Sequence, residues 1–408
     1  MKILVYGINY SPELMGIGKY TAEMCEWLAE QGDEVEVITG MPSYPNWEVF
    51  DRYKRRWWFT ETINLVKVHR SPLYVPKKVT GVTRILHEIS FGISTLVFWV
   101  PRLFRRYDVI ICISPPLQLG LAGIIYKMFH KTLFIYHIQD LQLDAAKQLG
   151  LIKSKFLLSV VEGLEKIILK KSHYVSTISD GMIRKVNSKG IPTDKIVSFR
   201  NWIDTSLMAP ATPDPSIRSL FGIDSSKKVI LYSGNIGEKQ GIEIIIEVAE
   251  ALKESEVFFL IIGNGAFKKK LQSLAQLKKL KNIDFFPLQP IELLPAILNI
   301  ADLHLVLQKK AAADLVMPSK LTAILSVGGA AIVSAERGTT LFDIVDQNRI
   351  GILIEPESAC ALRMAISQNL NKDLDVIRQN ARDYAQSYLE KWAIMSQFHA
   401  FLKDKAYF

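Results

Sequence analysis

The sequence predicts an α/β protein built from two Rossmann-like domains that face each other across a cleft. Three observations carry that expectation. Short, almost wholly apolar runs alternate with stretches of helical periodicity, the pattern of parallel sheets covered by helices on both faces. Gly-rich turns follow several of the apolar runs, at the sheet edge where open α/β sheets bind ligands. The whole pattern restarts after Arg200, in a chain of 408 residues that suits two domains better than one.

Taken in order, Lys2–Tyr6 reads as the first strand. Gly16–Glu30 reads as an amphipathic helix, because Tyr20, Met24, Trp27 and Leu28 share a face. Glu34–Thr39 is the next strand, and Pro42 and Pro45 mark the loop after it. Asp108–Ser114, Thr132–Ile138 and Tyr174–Ile178 are further buried-strand runs. Ala209–Pro215 holds three prolines and reads as a surface linker, which places a hinge near residues 200–215. Strand Lys228–Ser233, helix Ile242–Lys253 and strand Val257–Ile262 then repeat the scheme, and Asn282–Phe286, Leu303–Leu307 and Ala331–Ser334 continue the sheet. Asp375–Phe408 is one long helical pattern with a break near Lys391. The expected domains are residues 1–200, residues 201–385, and a final helix over 386–408 that returns to the first domain.

Hydrophobic residues make up 49% of the chain and charged ones 22%, the balance of a protein with two sizeable cores. Lys and Arg outnumber Asp and Glu by 50 to 41, a net charge of +9 that points to phosphate groups, an anionic membrane surface or nucleic acid. Zinc-finger spacing, an aromatic RNA-binding strand and a basic-region helix are all missing, so no nucleic-acid partner is expected. Cys25, Cys112 and Cys360 are far apart and odd in number, which fits a reducing compartment and argues against disulfides or a CxxC metal site. The opening MKILVYGINY lacks the features of a secretory leader. No apolar run reaches the roughly 20 residues of a spanning helix. The nearest, Ile89–Pro101, lies between Arg84 with His87 and Arg102, Arg105 and Arg106. It reads either as a segment lying in a membrane interface or as a core helix with a basic end. Asp51–Phe59 mixes cations with Trp57 and Trp58, the pairing favoured at headgroup depth, and tips the reading toward the interface.

Four stretches carry candidate chemistry. The first turn, Ser11–Lys19, contains Glu13, Gly16 and Gly18 between a strand and a helix N-terminus. Its spacing is not GxGxxG, so it suits an acceptor or a sugar phosphate better than NAD. The second domain opens with a strand, then Gly234, Asn235, Gly237, Lys239, Gln240 and Gly241, and a second turn holds Gly263 and Gly265. Two strand-ending Gly turns side by side suit a diphosphate next to a flat base. Asp314–Leu321 places Pro318 at a helix start, with Ser319 and Lys320 in its first turn. There orphan N–H groups favour a phosphate, and a lysine is unfavourable unless an anion is bound. His137, Gln139 and Asp140 form a polar cluster at the carboxyl end of a strand in the first domain.

These residues together resemble a known family. The run Asn9–Glu13 with Gly16 and Gly18, His137–Leu141, Ser179–Gly181, Asn201–Asp204, Tyr232–Gly237 with Gln240–Gly241, and Leu315–Leu321 with Val327–Gly329 are similar to the retaining, GT-B-type glycosyltransferases of family 4. Within it, the chain looks like the members that serve colanic acid and other exopolysaccharide synthesis, a fucosyltransferase among them. The resemblance implies the GT-B fold, a nucleoside diphosphate sugar as donor, GDP-fucose as the implied choice, and no cofactor or metal. It implies Lys320 as the main phosphate cation, with Ser319, Gly234, Asn235 and Gln240 along the diphosphate and Gly263 and Gly265 beside the base. His137 would hydrogen-bond the donor sugar, Asp140 would shape the sugar side, and Glu13, Gly16 and Gly18 would lie on the acceptor side. The acceptor would be a polyprenyl-diphosphate-linked saccharide, met by a cytoplasmic enzyme held peripherally at the inner membrane face. Two positions depart from the family pattern. Asn235 stands where relatives carry a cation, and Ala323 stands where a glutamate holds the ribose, leaving Glu336 as the substitute.

The chemistry this implies is glycosyl transfer to a hydroxyl through an oxocarbenium-like state, the departing diphosphate being stabilised by Lys320 and the helix N-terminus. Two other classes share features with the sequence: a non-hydrolysing sugar-nucleotide epimerase, which needs paired carboxylates that are not found, and a non-catalytic nucleotide-sugar-binding scaffold. An NAD-dependent oxidoreductase is disfavoured by the first turn.

Overall fold

The computed structural model describes residues 1–13, 16–148, 154–310 and 318–406. The chain divides into two compact units, Met1–Asn201 with Met395–Phe408, and Trp202–Ile394.

The first unit is built on eight strands: β1 (Lys2–Tyr6), β2 (Glu34–Gly40), β3 (Phe59–Ile63), β4 (Val66–Ser71), β5 (Val109–Ser114), β6 (Leu133–Ile138), β7 (Tyr174–Thr177) and β8 (Ile196–Ser198). Their order is β3-β4-β2-β1-β5-β6-β7-β8, with every pairing parallel except β3 with β4. Ile3 lies opposite Val35 on one side and Val109 on the other, so β1 is the centre of the sheet. Helices cover both faces, which is why β5 and β6 are buried at every position and read as continuous apolar runs. One face carries Leu4, Ile110 and Phe134, packed under Phe91, Trp99, Tyr126 and Ile168 of the covering helices.

The hairpin β3–β4 was not legible as strands, because the buried Val66 and Val68 are followed by the buried polar residues His69, Arg70 and Ser71 and no position of β3 is fully buried. Glu36 on β2 accepts hydrogen bonds from His69 Nε2 at 3.0 Å and Arg102 Nη2 at 2.7 Å. Burial works to raise the Glu36 pKa, but the bonds from His69 and Arg102 overcome it and hold the carboxyl below the usual carboxylate range. Arg70, fully buried, donates to Glu61 at 2.9 Å and Gly40 O at 3.2 Å, and also to Ser11 O in the loop after β1.

The second unit holds six parallel strands: β9 (Lys228–Ser233), β10 (Val257–Ile262), β11 (Ile283–Phe286), β12 (Leu303–Val306), β13 (Ala331–Ser334) and β14 (Ile352–Ile354), in the order β11-β10-β9-β12-β13-β14. Renumbered from one within the unit, this is 3-2-1-4-5-6, the doubly wound order, and one hydrophobic core lies on each face. The strand order reverses between β9 and β12. That reversal opens a crevice outside their carboxyl ends. Such a point exists in the first unit too, between β1 and β5.

Differences from the sequence reading lie at the edges and ends. The helix expected over Ile242–Lys253 spans Ile244–Ala251, and Ile89–Pro101 falls across two helices, Gly81–Ser94 and Leu96–Arg102. The long final pattern breaks into Asp375–Tyr388 and Lys391–Ala406. The break has a cause: Ile203 donates to Leu389 O at 2.8 Å and accepts from Lys391 N at 3.0 Å, so the chain pairs there instead of continuing as a helix. In the first unit the last helix stacks Phe398 on Phe199 with centroids 3.8 Å apart, and His399 reaches Asp33 at 2.8 Å.

Candidate active site

The switch point of the second unit gathers most of the expected donor-binding residues. β9 ends at Ser233 and gives way to Gly234, whose φ of +142° few residues other than glycine adopt. The next turn comes up against it. A Cβ on Gly263 would lie 1.9 Å from Gly234 O, and a Cβ on Gly265 would lie 2.2 Å from Ile236 O. These two glycines are thus required by the close approach of one turn to the other. Asn235 is exposed, and its carbonyl accepts from Tyr232 Oη at 2.6 Å. Gln240 folds back, its Oε1 accepting from Gly237 N at 3.2 Å.

Lys320 completes the group. Helix Ser319–Ser326 starts directly after Pro318, with Ser319 exposed. The expected residues Asp314–Met317 lie outside the described residues, as do Leu14 and Met15 of the first turn. The Lys320 stem is partly accessible, but its Nζ is closed off from solvent and has no hydrogen-bond partner among the described residues. It sits 3.7 Å from the centroid of the Tyr232 ring, and a Cβ on Gly234 would lie 3.1 Å from it. Desolvation lowers its pKa to about 7. An amine without an acceptor among the described residues, beside a glycine turn and at a helix N-terminus, is an arrangement that can receive an anion.

Among the described residues no hydrogen bond or ion pair joins the Glu336 side chain to this group. It is exposed after β13 and lies 3.8 Å from Lys310, which also meets Glu355 at 3.3 Å. Ala323, where the resemblance expects a glutamate, packs against the apolar core.

The remaining expected residues belong to the first unit. His137, on β6, is fully buried. Gln139 Nε2 lies 2.9 Å from its Nε2 and can only donate, so the ring proton sits on Nδ1 and is donated to Ser176 Oγ at 2.8 Å. Desolvation lowers the His137 pKa to about 3, so the ring is neutral near pH 7. Asp140 follows at the carboxyl end of the strand and is half-buried. Glu13 is buried by the loop after β2. It accepts from Ser43 N and Tyr44 N, each at 2.9 Å, and from Asn9 Nδ2 at 2.8 Å. Burial raises its pKa despite these three bonds. Gly16 begins the helix Gly16–Glu30, and a Cβ on Gly18 would press on Glu13 at 3.0 Å. Glu13 and Gly18 therefore brace the first turn from beneath.

Two supporting residues escaped the sequence reading. Tyr232 lies under Lys320, a position signalled only by its place two residues before Gly234. Lys268 donates to Gly263 O at 2.9 Å and Phe286 O at 2.6 Å, fixing the turn after β10 to the end of β11. A lysine soon after a Gly turn is the sole trace of that role in the sequence.

Comparison with known proteins bears on the family and the fold. Residues 15–202 match a glycosyl transferase 4-like domain, and residues 214–388 match the glycosyl transferases group 1 domain. The chain is 42% identical over 405 residues, 98% of each chain, to the putative colanic acid biosynthesis glycosyl transferase WcaI of Escherichia coli (strain K12). Among solved structures, the sucrose-phosphate synthase of Thermosynechococcus elongatus superposes with a TM-score of 0.76 at 17% identity, over 99% of this chain and 98% of that one. Anabaena Alr3699/HepE, in complex with UDP and glucose, superposes with a TM-score of 0.71 at 14% identity, over 99% of this chain and 100% of that one. These two share the fold. With the WcaI relationship covering 98% of the chain and both domain families matched in order, the chain belongs to the GT-B glycosyltransferases of family 4.

Proposed function

We propose that the protein moves a sugar from a nucleoside diphosphate sugar, GDP-fucose, to a polyprenyl-diphosphate-linked saccharide in the synthesis of an exopolysaccharide of the colanic acid type, with retention at the anomeric carbon. The name of the WcaI relative supports the pathway class, and the nucleotide complexes of HepE support the donor class. The observation that carries the reading is the buried Lys320 amine, without a partner among the described residues, beside Gly234 at the switch point of the second sheet.

The chemistry follows from that cation. As the bond from the anomeric carbon to the diphosphate oxygen breaks, negative charge builds on the leaving group. Lys320, the N-terminus of helix Ser319–Ser326 and the backbone of the Gly234 turn meet that charge, and they stabilise it more than they stabilise the intact donor. The acceptor hydroxyl attacks the same face and gives its proton to the departing phosphate. In this reading the charge is met by Lys320 and N–H groups, without a metal. In this reading His137 serves the donor sugar through Nε2 when a sugar hydroxyl takes the place of the Gln139 amide, and Asp140 shapes the sugar side. Glu336 is the candidate for the ribose. Lipid-linked acceptor places the enzyme peripherally at the cytoplasmic membrane face.

The test is a set of radiolabelled nucleotide sugars offered with lipid-linked acceptors, scored by transfer. GDP-fucose is expected to label the lipid fraction, and Lys320→Ala to cut transfer at least about 100-fold with an unchanged circular dichroism spectrum. Release of an altered free nucleotide sugar without acceptor, or full activity in Lys320→Ala, would overturn the reading.

A further inference from the structure

We propose that the outer surface of one helix layer of the first unit is a docking face for an anionic lipid membrane. The proposal rests on the reading that the acceptor is lipid-linked, and it assigns the surface that brings the enzyme to it.

The helices Gly81–Ser94, Leu96–Arg102, Gly120–Phe129 and Lys155–Lys171 all send buried residues onto the same side of the first sheet: Phe91, Trp99, Tyr126 and Ile168 pack there in one cluster. On the first three of these helices the other side stays largely apolar, where the outer face of a helix on a soluble protein turns polar; on Lys155–Lys171 the exposed apolar residues alternate with lysines. Ile85, Ile89 and Ile93 follow one another at four-residue spacing and are all exposed. Val97 and Val100 continue the strip on the next helix, and Phe104 just after it is 85% exposed. Helix Gly120–Phe129 ends in Met128 and Phe129, 75% and 67% exposed, and Phe156 opens helix Lys155–Lys171 at 81%.

These strips adjoin. Trp99 meets Tyr126 edge-on, with centroids 6.3 Å apart, and His130 Nε2 lies 2.8 Å from Leu103 O, so Phe104 lies near the end that carries Met128 and Phe129. The face is also firmly mounted. Arg102 Nη2 donates to the buried Glu36 at 2.7 Å and pins helix Leu96–Arg102 to the sheet. Trp58 Nε1 donates to Ser94 O at 2.8 Å, holding the exposed Trp57–Trp58 pair at the junction of the first two helices.

The charge around the face selects the occupant. Lys77, Lys78, Arg105 and Arg106 are exposed at its rim, and the stretch from Pro76 to Tyr107 carries one carboxylate, Glu88, engaged by Arg84 at 3.3 Å. From Gly120 to Lys131 there are Lys127 and Lys131 and no carboxylate. An apolar strip with cations at its edge fits the headgroup boundary of a bilayer rich in anionic lipid. Among the described residues no helix is long and apolar enough to cross it, so the face lies on the surface.

The experiment is co-sedimentation of the full chain with vesicles of phosphatidylcholine alone and of phosphatidylcholine with phosphatidylglycerol. Binding is expected to the anionic vesicles, to weaken with salt, and to fall at least about tenfold in the triple variant Phe104→Ser, Met128→Ser, Phe129→Ser and in Arg105→Glu with Arg106→Glu. As a second readout, brominated lipid is expected to quench Trp57 fluorescence in the wild type. Both variants are expected to keep the circular dichroism spectrum and full transfer to a water-soluble acceptor analogue, which separates docking from catalysis. Variants that bind vesicles as the wild type does would overturn the proposal. So would a wild type that ignores vesicles but elutes as a dimer that the triple variant dissociates, because the face would then belong to a second copy of the chain. Failure of transfer with docking intact would sink the functional reading alone.

Discussion

At Lys320 the cost of burying charge is written into one side chain. Its folded pKa of about 7 lies below the ordinary lysine value. In the ligand-free protein, between about pH 7 and 10, the unfolded chain therefore binds more protons than the folded one. Stability is expected to rise with pH across that window and to be lowest at and below pH 7. Lys320→Met is expected to remove this dependence and to stabilise the empty protein at pH 7, by an amount on the order of 1–3 kcal/mol; thermal melts from pH 6 to 10 measure both. A bound diphosphate restores the charge, so nucleoside diphosphate binding at pH 8 is expected to take up a proton, read as a dependence of calorimetric heat on the buffer's ionisation enthalpy. His137 has the opposite visibility. With its pKa lowered to about 3, transfer is expected to show no titration of this ring near pH 6.5. Lys320 was legible in the sequence because a Pro-Ser-Lys start after an apolar strand fixes where the lysine falls. The pairing of His137 with Ser176 was not, because it joins residues 39 apart through the register of β6 and β7.

At the scale of elements, the site is made by two turns that touch. Gly263→Ala would drive a Cβ to 1.9 Å from Gly234 O, backbone against backbone, with no flexible side chain to yield. The expected cost is about 1–3 kcal/mol of stability and a much larger loss of nucleotide affinity, measured by denaturant melts and a binding titration of the same sample. The buried ion network behaves differently. Glu36→Gln leaves Arg102 without its anion, for an expected loss of about 3–5 kcal/mol. Central strands β1, β5, β6, β9 and β10 were read almost to the residue, since strands buried on both faces are uninterrupted apolar runs. β3 and β4 hid behind Glu61, His69 and Arg70. The three-residue strands β8 and β14 are too short to carry a period.

For the whole molecule, the chain leaves the first unit at Asn201 and returns to it at Met395, inside the helix Lys391–Ala406. The end of the sequence therefore completes the unit that contains its beginning. Phe398→Ala, which strips the stacked partner from Phe199, is expected to cost about 3–5 kcal/mol in the first unit while leaving nucleoside diphosphate affinity in the second unit intact. The pattern restart after Arg200 made the two-unit plan visible in the sequence. The apolar surface of the first unit was visible only in part, because whether Ile89 or Phe91 faces outward is decided by packing and not by composition. The buried Lys320 amine, without an acceptor among the described residues, has one more consequence under the proposed function. A spent nucleoside diphosphate offers it the same oxygens as a fresh donor, so free nucleoside diphosphate is expected to inhibit transfer in competition with the donor, as initial rates at several concentrations of both would measure.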